Sequence, residues 1–344
     1  MPRERIFWLL LASLILAGLA SGLFRHEGPE AVQLSFAPGA PAPVPQEGSR
    51  RTWKTERFER IAAIPAGEGQ PLELPTLLRV DGRGDLYVLD SGAPADRRVK
   101  KLSADGQLLG SYGAPDLGNP MDVAPASSGE VWVTDPDQRR IMVLSAAGAV
   151  ARRIGLDEAA VRLVPAPGGG FVATRFEGSA GLFHRYSAGG EPAGSFAALF
   201  PEKFQNALAA DGWLVPSGPG SFVYIFRNTG LLAAYTLEGR PLFFRRTLEP
   251  VPLPEIHIDP AAGQSIPQES SLASISGSVV GTDLWILSAQ RDRTERALDV
   301  YDAGTGTYRY SVAPPEKDAR YVVLTADRLF SASRRGVTVW RRAG

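Results

Sequence analysis

The chain has 344 residues, with 37 Lys+Arg balancing 37 Asp+Glu and no net charge. That balance argues against a nucleic-acid surface or a funnel for strongly acidic ligands, since both need a basic excess. Cysteine is absent, which excludes disulfides, thiolate metal sites and thiol nucleophiles. The 37 Gly and 28 Pro punctuate β-prone runs instead of forming a low-complexity tract, a pattern expected of an all-β, turn-rich fold.

Residues 1–24 open with Arg3 and Arg5, followed by an almost unbroken apolar run from Ile6 to Phe24. As a helix at 1.5 Å per residue, that run would reach roughly 28 Å, close to a hydrocarbon core. A secretory h-region is usually shorter, but the small residues of Gly18-Leu19-Ala20 and Ala20-Ser21-Gly22 offer cleavage spacing. Anchor and cleaved signal both stay open. The basic end is expected to remain cytoplasmic, putting the rest of the chain on the extracytoplasmic (periplasmic) side, or secreting it after cleavage. No Cys follows the run, so a lipoprotein anchor is excluded.

Residues 25–52 contain Ala37-Pro38-Gly39-Ala40-Pro41-Ala42-Pro43-Val44-Pro45. Alternating Ala-Pro suits neither a helix nor a sheet ladder, so an extended spacer is expected, holding a globular head (53–344) away from the bilayer.

From Trp53 onward short strands succeed one another, organised by a recurring turn. Leu102-Ser103-Ala104-Asp105-Gly106 returns as Leu144–Gly148, Tyr186–Gly190, Tyr235–Gly239 and, more loosely, Tyr301–Gly306. A short polar side chain can bond the turn backbone, and Gly accepts positive φ. Copies lie roughly 40–65 residues apart, as repeats of about four strands would. Leu163–Val172 matches Leu214–Val223 almost letter for letter. At the end, Trp340–Gly344 reads as a sixth turn with no strand after it, while Arg57–Ile64 is a free β-prone segment ahead of the first repeat. The expectation is that this segment closes the last repeat and leaves no open edge.

Two insertions break the spacing. Phe196–Ala210 has Leu199, Phe200, Phe204 and Leu208 at helix-like intervals, predicting one short helix. Thr247–Ser271 carries five prolines and reads as a long irregular loop.

Val80-Asp81, Leu86–Gly92 and Arg98–Leu102, and more closely Asn119–Ala124, Val131–Asp135 and Arg139–Ile141, resemble the NHL-type repeat of six-bladed β-propellers. The resemblance extends, degenerating, over residues 53–344. It implies an all-β, six-bladed β-propeller with N/C-terminal strand closure of the last blade. It leaves the activity open, since such propellers include sugar-lactone hydrolases, amidating lyases, ligand sensors, protein-docking modules and RNA binders. Trp132, Phe171, Phe222, Trp285 and Phe330 then sit on or beside one strand of successive repeats, as inter-blade core rather than a cofactor-stacking set.

Enzyme signatures are sparse: there is no His-Glu-x-x-His, nucleophile elbow, phosphate loop or dinucleotide fingerprint. The three His are His26, His184 and His257, too few for the His-ligated metal of the lyases. His184 reads as a satisfied blade residue. Glu255, His257 and Asp259 share a side if extended, a solvated face or a small metal or acid–base cluster. Asp135-Pro136-Asp137 reads as an Asx-type turn or a fragment of a calcium loop.

In propellers, ligands gather where the innermost strands begin, which makes Glu73, Arg79, Asn119, Asp122, Arg162 and Arg320 the candidate site. Glu73, Asn119 and Asp122 could be cast as a lactonase-like set around a divalent cation such as calcium. Arg79, Arg162 and Arg320 would repel a cation and suit a carboxylate or other anion; the bland alternative is a rim of internal ion pairs. The reading adopted is a membrane-anchored binding or scaffold module, with no cofactor, for protein partners or a small anionic ligand and not nucleic acid; the alternative is a metal-dependent hydrolase or lyase.

Overall fold

A computed structural model describes residues 30–48, 50–92, 98–113, 116–249, 251–259, 263–267, 272–289 and 296–343. The expected N-terminal anchor or signal segment lies outside them. Among the described residues no helix is long and apolar enough to cross a membrane.

Two strands precede the repeats, β1 (Glu30–Gln33) and β2 (Arg57–Pro65). Blade 1 is β3 (Pro75–Val80), β4 (Leu86–Asp90), β5 (Arg98–Leu102) and β6 (Leu108–Tyr112). Blade 2 is β7 (Asp122–Pro125), β8 (Val131–Asp135), β9 (Arg140–Leu144) and β10 (Val150–Gly155). Blade 3 is β11 (Ala160–Pro165), β12 (Phe171–Arg175), β13 (Phe183–Tyr186) and β14 (Pro192–Phe196). Blade 4 is β15 (Gly212–Gly218), β16 (Ser221–Phe226), β17 (Leu231–Thr236) and β18 (Pro241–Arg246). After β19 (Glu255–Asp259) and β20 (Gly263–Ser265) comes blade 5, with β21 (Ser274–Val280), β22 (Asp283–Ala289), β23 (Arg296–Asp302) and β24 (Tyr308–Val312). Blade 6 is β25 (Tyr321–Leu324), β26 (Arg328–Ser333) and β27 (Gly336–Ala343), completed by β2.

Each blade is an antiparallel four-stranded sheet, and the first strands β3, β7, β11, β15, β21 and β25 neighbour one another in a closed ring. The recurring turns behave as their chemistry dictates. Gly106, Gly148, Gly190 and Gly239 sit at φ 83–96°. Ser103 Oγ accepts the amides of Asp105 and Gln107, and Ser187 Oγ those of Gly189 and Glu191. Aromatics of the second and third strands join neighbouring blades: Trp132 and Phe171 rings are 5.7 Å apart, and Phe183 and Phe222 5.1 Å.

The ring closes through β2 on β27, with Phe58 opposite Arg342 and Ile64 opposite Val337. The closing segment is the expected one, but the end of the chain differs. Trp340–Ala343 continues β27 as strand and makes no turn, because β2 lies directly alongside it.

The expected spacer also differs: its described part is strapped to the propeller. β1 pairs with β19, extended by β20, as a separate three-stranded sheet, so Thr247–Ser271 is partly ordered strand. Leu34 is buried, and Phe36 stacks on Phe200 with ring centroids 5.8 Å apart. Val44 bridges β18 at Arg245, Trp53 bridges β24 at Ser311, and Arg51 forks onto Asp299 at 2.8 and 3.0 Å. A proline-rich segment leaves its remaining amides to be satisfied elsewhere, and here blade edges do so. The helix expected in Phe196–Ala210 is absent: only Glu202–Phe204 makes a single 3-10 turn. Gln205 and Asn206 side chains take the amides of Leu199, Leu208 and Ala209, which competes with helical pairing. Leu199, Phe200 and Phe204 owe their spacing to burial in a core shared with Leu34.

Candidate functional site

Loops entering the inner strands are fixed by a device repeated in blades 1 and 2. Asp90, at the end of β4, accepts the amides of Glu73 and Leu74. Asp135, at the end of β8, accepts those of Gly118 and Asn119 and pairs with Arg140 at 2.9 Å. Asp135 is therefore a fully buried structural clamp, and Asp137 takes a hydrogen bond from the Asn119 side chain. Glu73 and Asn119 are half-buried beside these clamps.

Arg79, Asp122 and Arg162 converge on the axis. Asp122 is wholly buried; its Oδ1 accepts from Arg79 Nη2 at 3.1 Å and the Val123 amide at 3.0 Å, and its Oδ2 from the Leu163 amide at 3.1 Å. Arg162 donates to the Met121 carbonyl at 2.6 Å and the Gly212 carbonyl at 3.1 Å, tying blades 2 and 4 together through blade 3. Its guanidinium lies 4.3 Å over the Trp213 ring and 3.5 Å from Asp211. Burial alone would lower its pKa, but Asp211 and Asp122 outweigh that and the net shift is upward.

Tyr321 completes the group, its ring edge-on to Trp213 at 5.1 Å. The Tyr321 hydroxyl lies near Arg79 without a hydrogen bond of ordinary geometry, and burial drives its pKa well up. Asp211, Trp213 and Tyr321 escape a reading by candidate motif; their signal is position, at the entry to an inner strand. Arg320 stands apart, exposed, its amide bonded to the Ala332 carbonyl.

Of the remaining candidates, His184 is buried and bonds Ser179 Oγ at 3.0 Å. Burial, with a contribution from Arg175, lowers its pKa to about 4. Glu255 and His257 do share a face of β19 and pair at 2.8 Å, both well exposed. Among the described residues no group of three or more His, Asp or Glu could hold a metal ion. A cavity of about 750 Å³ opens on blade 6, lined by Arg60, Glu316, Lys317, Asp318, Arg335 and Trp340 among others.

No protein-family model matches the chain. The human NHL repeat-containing protein 3 is 32% identical over 94 residues, 24% of this chain and 27% of that protein, so the chain spans about a quarter of its relative's length. Among solved structures, a streptogramin B lyase superposes with TM-score 0.53 at 12% identity, covering 84% of this chain and 98% of the lyase. A Bacteroides fragilis protein gives TM-score 0.58 at 8% identity, covering 87% and 98%. At such identities the likeness is one of fold. Together with the blades above, it makes the chain an NHL-like β-propeller.

Proposed function

We propose that the chain is a binding or scaffold module that takes a protein partner or an anionic ligand on the face where the inner strands begin. The observation that carries this reading is the state of Asp122. Both its carboxylate oxygens are engaged by Arg79 and by backbone amides, so this buried acid is not a free cation ligand or base. A second reading, a metal-dependent hydrolase or lyase, draws only on the fold shared with the streptogramin B lyase. The blade 6 cavity, with Arg60, Lys317 and Arg335 facing Glu316 and Asp318, suits a partner carrying acidic groups.

We also retain single-pass anchoring by Ile6–Phe24, with the propeller outside the cytoplasm; its support is the apolar run after Arg3 and Arg5. The test is affinity capture from membranes with the full chain and with a variant carrying Arg60→Glu, Lys317→Glu and Arg335→Glu, alongside metal analysis and lactonase assays. The module reading expects a partner lost from the variant. Chelator-sensitive turnover by the purified chain would overturn it in favour of the enzyme.

A further inference from the structure

Residues 44–48 and 50–54 lie along the outer edges of blades 4 and 5 as a bound peptide lies on its receptor. At β18 the Val44 amide donates to the Phe244 carbonyl at 2.9 Å, and the Val44 carbonyl accepts from the Arg246 amide at 3.0 Å. At β24 the Thr52 carbonyl accepts from the Ser311 amide and the Lys54 amide donates to the Ser311 carbonyl, both at 2.8 Å. Each contact is one isolated parallel bridge and not a ladder. Laying an extended segment on an exposed sheet edge is a common way for a domain to take a peptide.

Side chains supply the selectivity. Gln46 Nε2 donates to the Arg246 and Gly306 carbonyls at 2.7 and 2.8 Å, and its Oε1 accepts from the Tyr308 amide at 2.8 Å, so one amide group links the two blades. Five residues on, Arg51 forks onto Asp299 at 2.8 and 3.0 Å and also meets Glu249. Asp299 is buried and is oriented by the Ser311 hydroxyl, which donates to it at 2.6 Å. Two carboxylates facing the strap, one of them fixed in the blade, form a receptor for a planar guanidinium. The strap itself is lightly held here. Val44 and Trp53 are 50% and 52% exposed, so lifting this stretch uncovers little apolar surface. Two bridges, a glutamine and an arginine keep it down, and water re-satisfies polar groups of that kind when a segment opens locally.

We propose that the track over blades 4 and 5 is a docking site for an extended, arginine-bearing segment of a partner protein. The strap is its resident occupant, an autoinhibitory contact that the partner displaces. Charge complementarity sets the chemistry of the partner: Asp299 and Glu249 call for a guanidinium, and the groups met by Gln46 call for an amide side chain five residues before it. The proposal goes beyond the reading of the inner-strand face and uses a different surface, so either can fail without the other.

The experiment follows binding of a labelled, capped peptide with the sequence of residues 43–54 to the full chain by fluorescence anisotropy, with methylguanidinium as a second probe in thermal unfolding. Tethered in cis, the strap competes at a high effective concentration, so the wild type binds the peptide weakly. Arg51→Ala releases the competitor and tightens peptide binding by about tenfold or more, and a peptide carrying Arg51→Gln loses that gain. Methylguanidinium raises the melting temperature of Arg51→Ala and leaves the wild type unmoved. Gln46→Ala keeps the Arg51–Asp299 pair and serves if Arg51→Ala does not fold; it too binds the peptide more tightly than the wild type. The proposal is overturned if neither variant gains affinity, if the arginine of the peptide makes no difference, or if methylguanidinium shifts wild type and variant alike. A dimer of Arg51→Ala that the peptide dissociates would give the track to a second copy of the chain and overturn the partner reading as well.

Discussion

Replacing Asp122 by Asn isolates the energetic logic of the propeller axis. Asp122 is 0% exposed and Arg79 8%, and they meet at 3.1 Å. The amide keeps an acceptor for one neighbour but turns an NH2 group toward another donor, and it withdraws the counter-charge shared by Arg79 and Arg162. Breaking one side of a buried ion pair costs about 3–5 kcal/mol, most of it from the charge left unpaired. Arg79→Met removes the other side and leaves Asp122 two amide donors, Val123 and Leu163. If the pair acts as a unit, the double variant loses less than the sum of the singles, by about 1–3 kcal/mol. The assay is denaturant unfolding of the four proteins, with matched slopes required before midpoints are compared. A loss below about 1 kcal/mol in Asp122→Asn, or strict additivity in the double variant, would refute the claim that the axis is held by paired charge.

Gly336 has φ +131°, and a Cβ there would stand 2.0 Å from the Ile64 carbonyl oxygen, so Gly336→Ala should destabilise the β2–β27 closure by more than about 1–3 kcal/mol; an unchanged melting temperature argues against tight closure at that end. His184 is held neutral, with its pKa near 4 in the fold against 6.5 unfolded. Between those values the unfolded chain takes up the proton, so stability is complete above about pH 6.5 and falls by roughly 3 kcal/mol on reaching pH 4. Urea midpoints at pH 7 and 4.5 check this, with His184→Gln expected to flatten the difference. Arg51→Ala unpairs Asp299, which is 1% exposed, and should cost about 2–4 kcal/mol and speed proteolysis within residues 30–52; equal cleavage rates would count against the strap.

Blades 1 and 2 were legible because their strands end in turn chemistry that leaves a local mark: β4, β5 and β8 fall where the pattern puts them. Closure by Arg57–Ile64 was legible as a strand without a partner. What the sequence hid is held by contacts between residues far apart. Gln33 bonds the Leu253 carbonyl and Gln46 the Gly306 carbonyl, pairings that no periodicity announces. The same reason conceals the site. Arg79, Asp122 and Arg162 were selected by strand position, yet the contacts of Arg162 with Asp211, Met121 and Gly212 depend on how blades 2, 3 and 4 meet.

The strap has a mechanical consequence. Between β1 and β2 the chain is stitched in turn to the β19 hairpin, to β18 and to β24. A pull delivered from the N-terminal side must unpick those stitches one after another before it loads the seam of blade 6. Tension would therefore be shed along the flank of the molecule in small steps, and the ring would keep its shape until the last of them gave way.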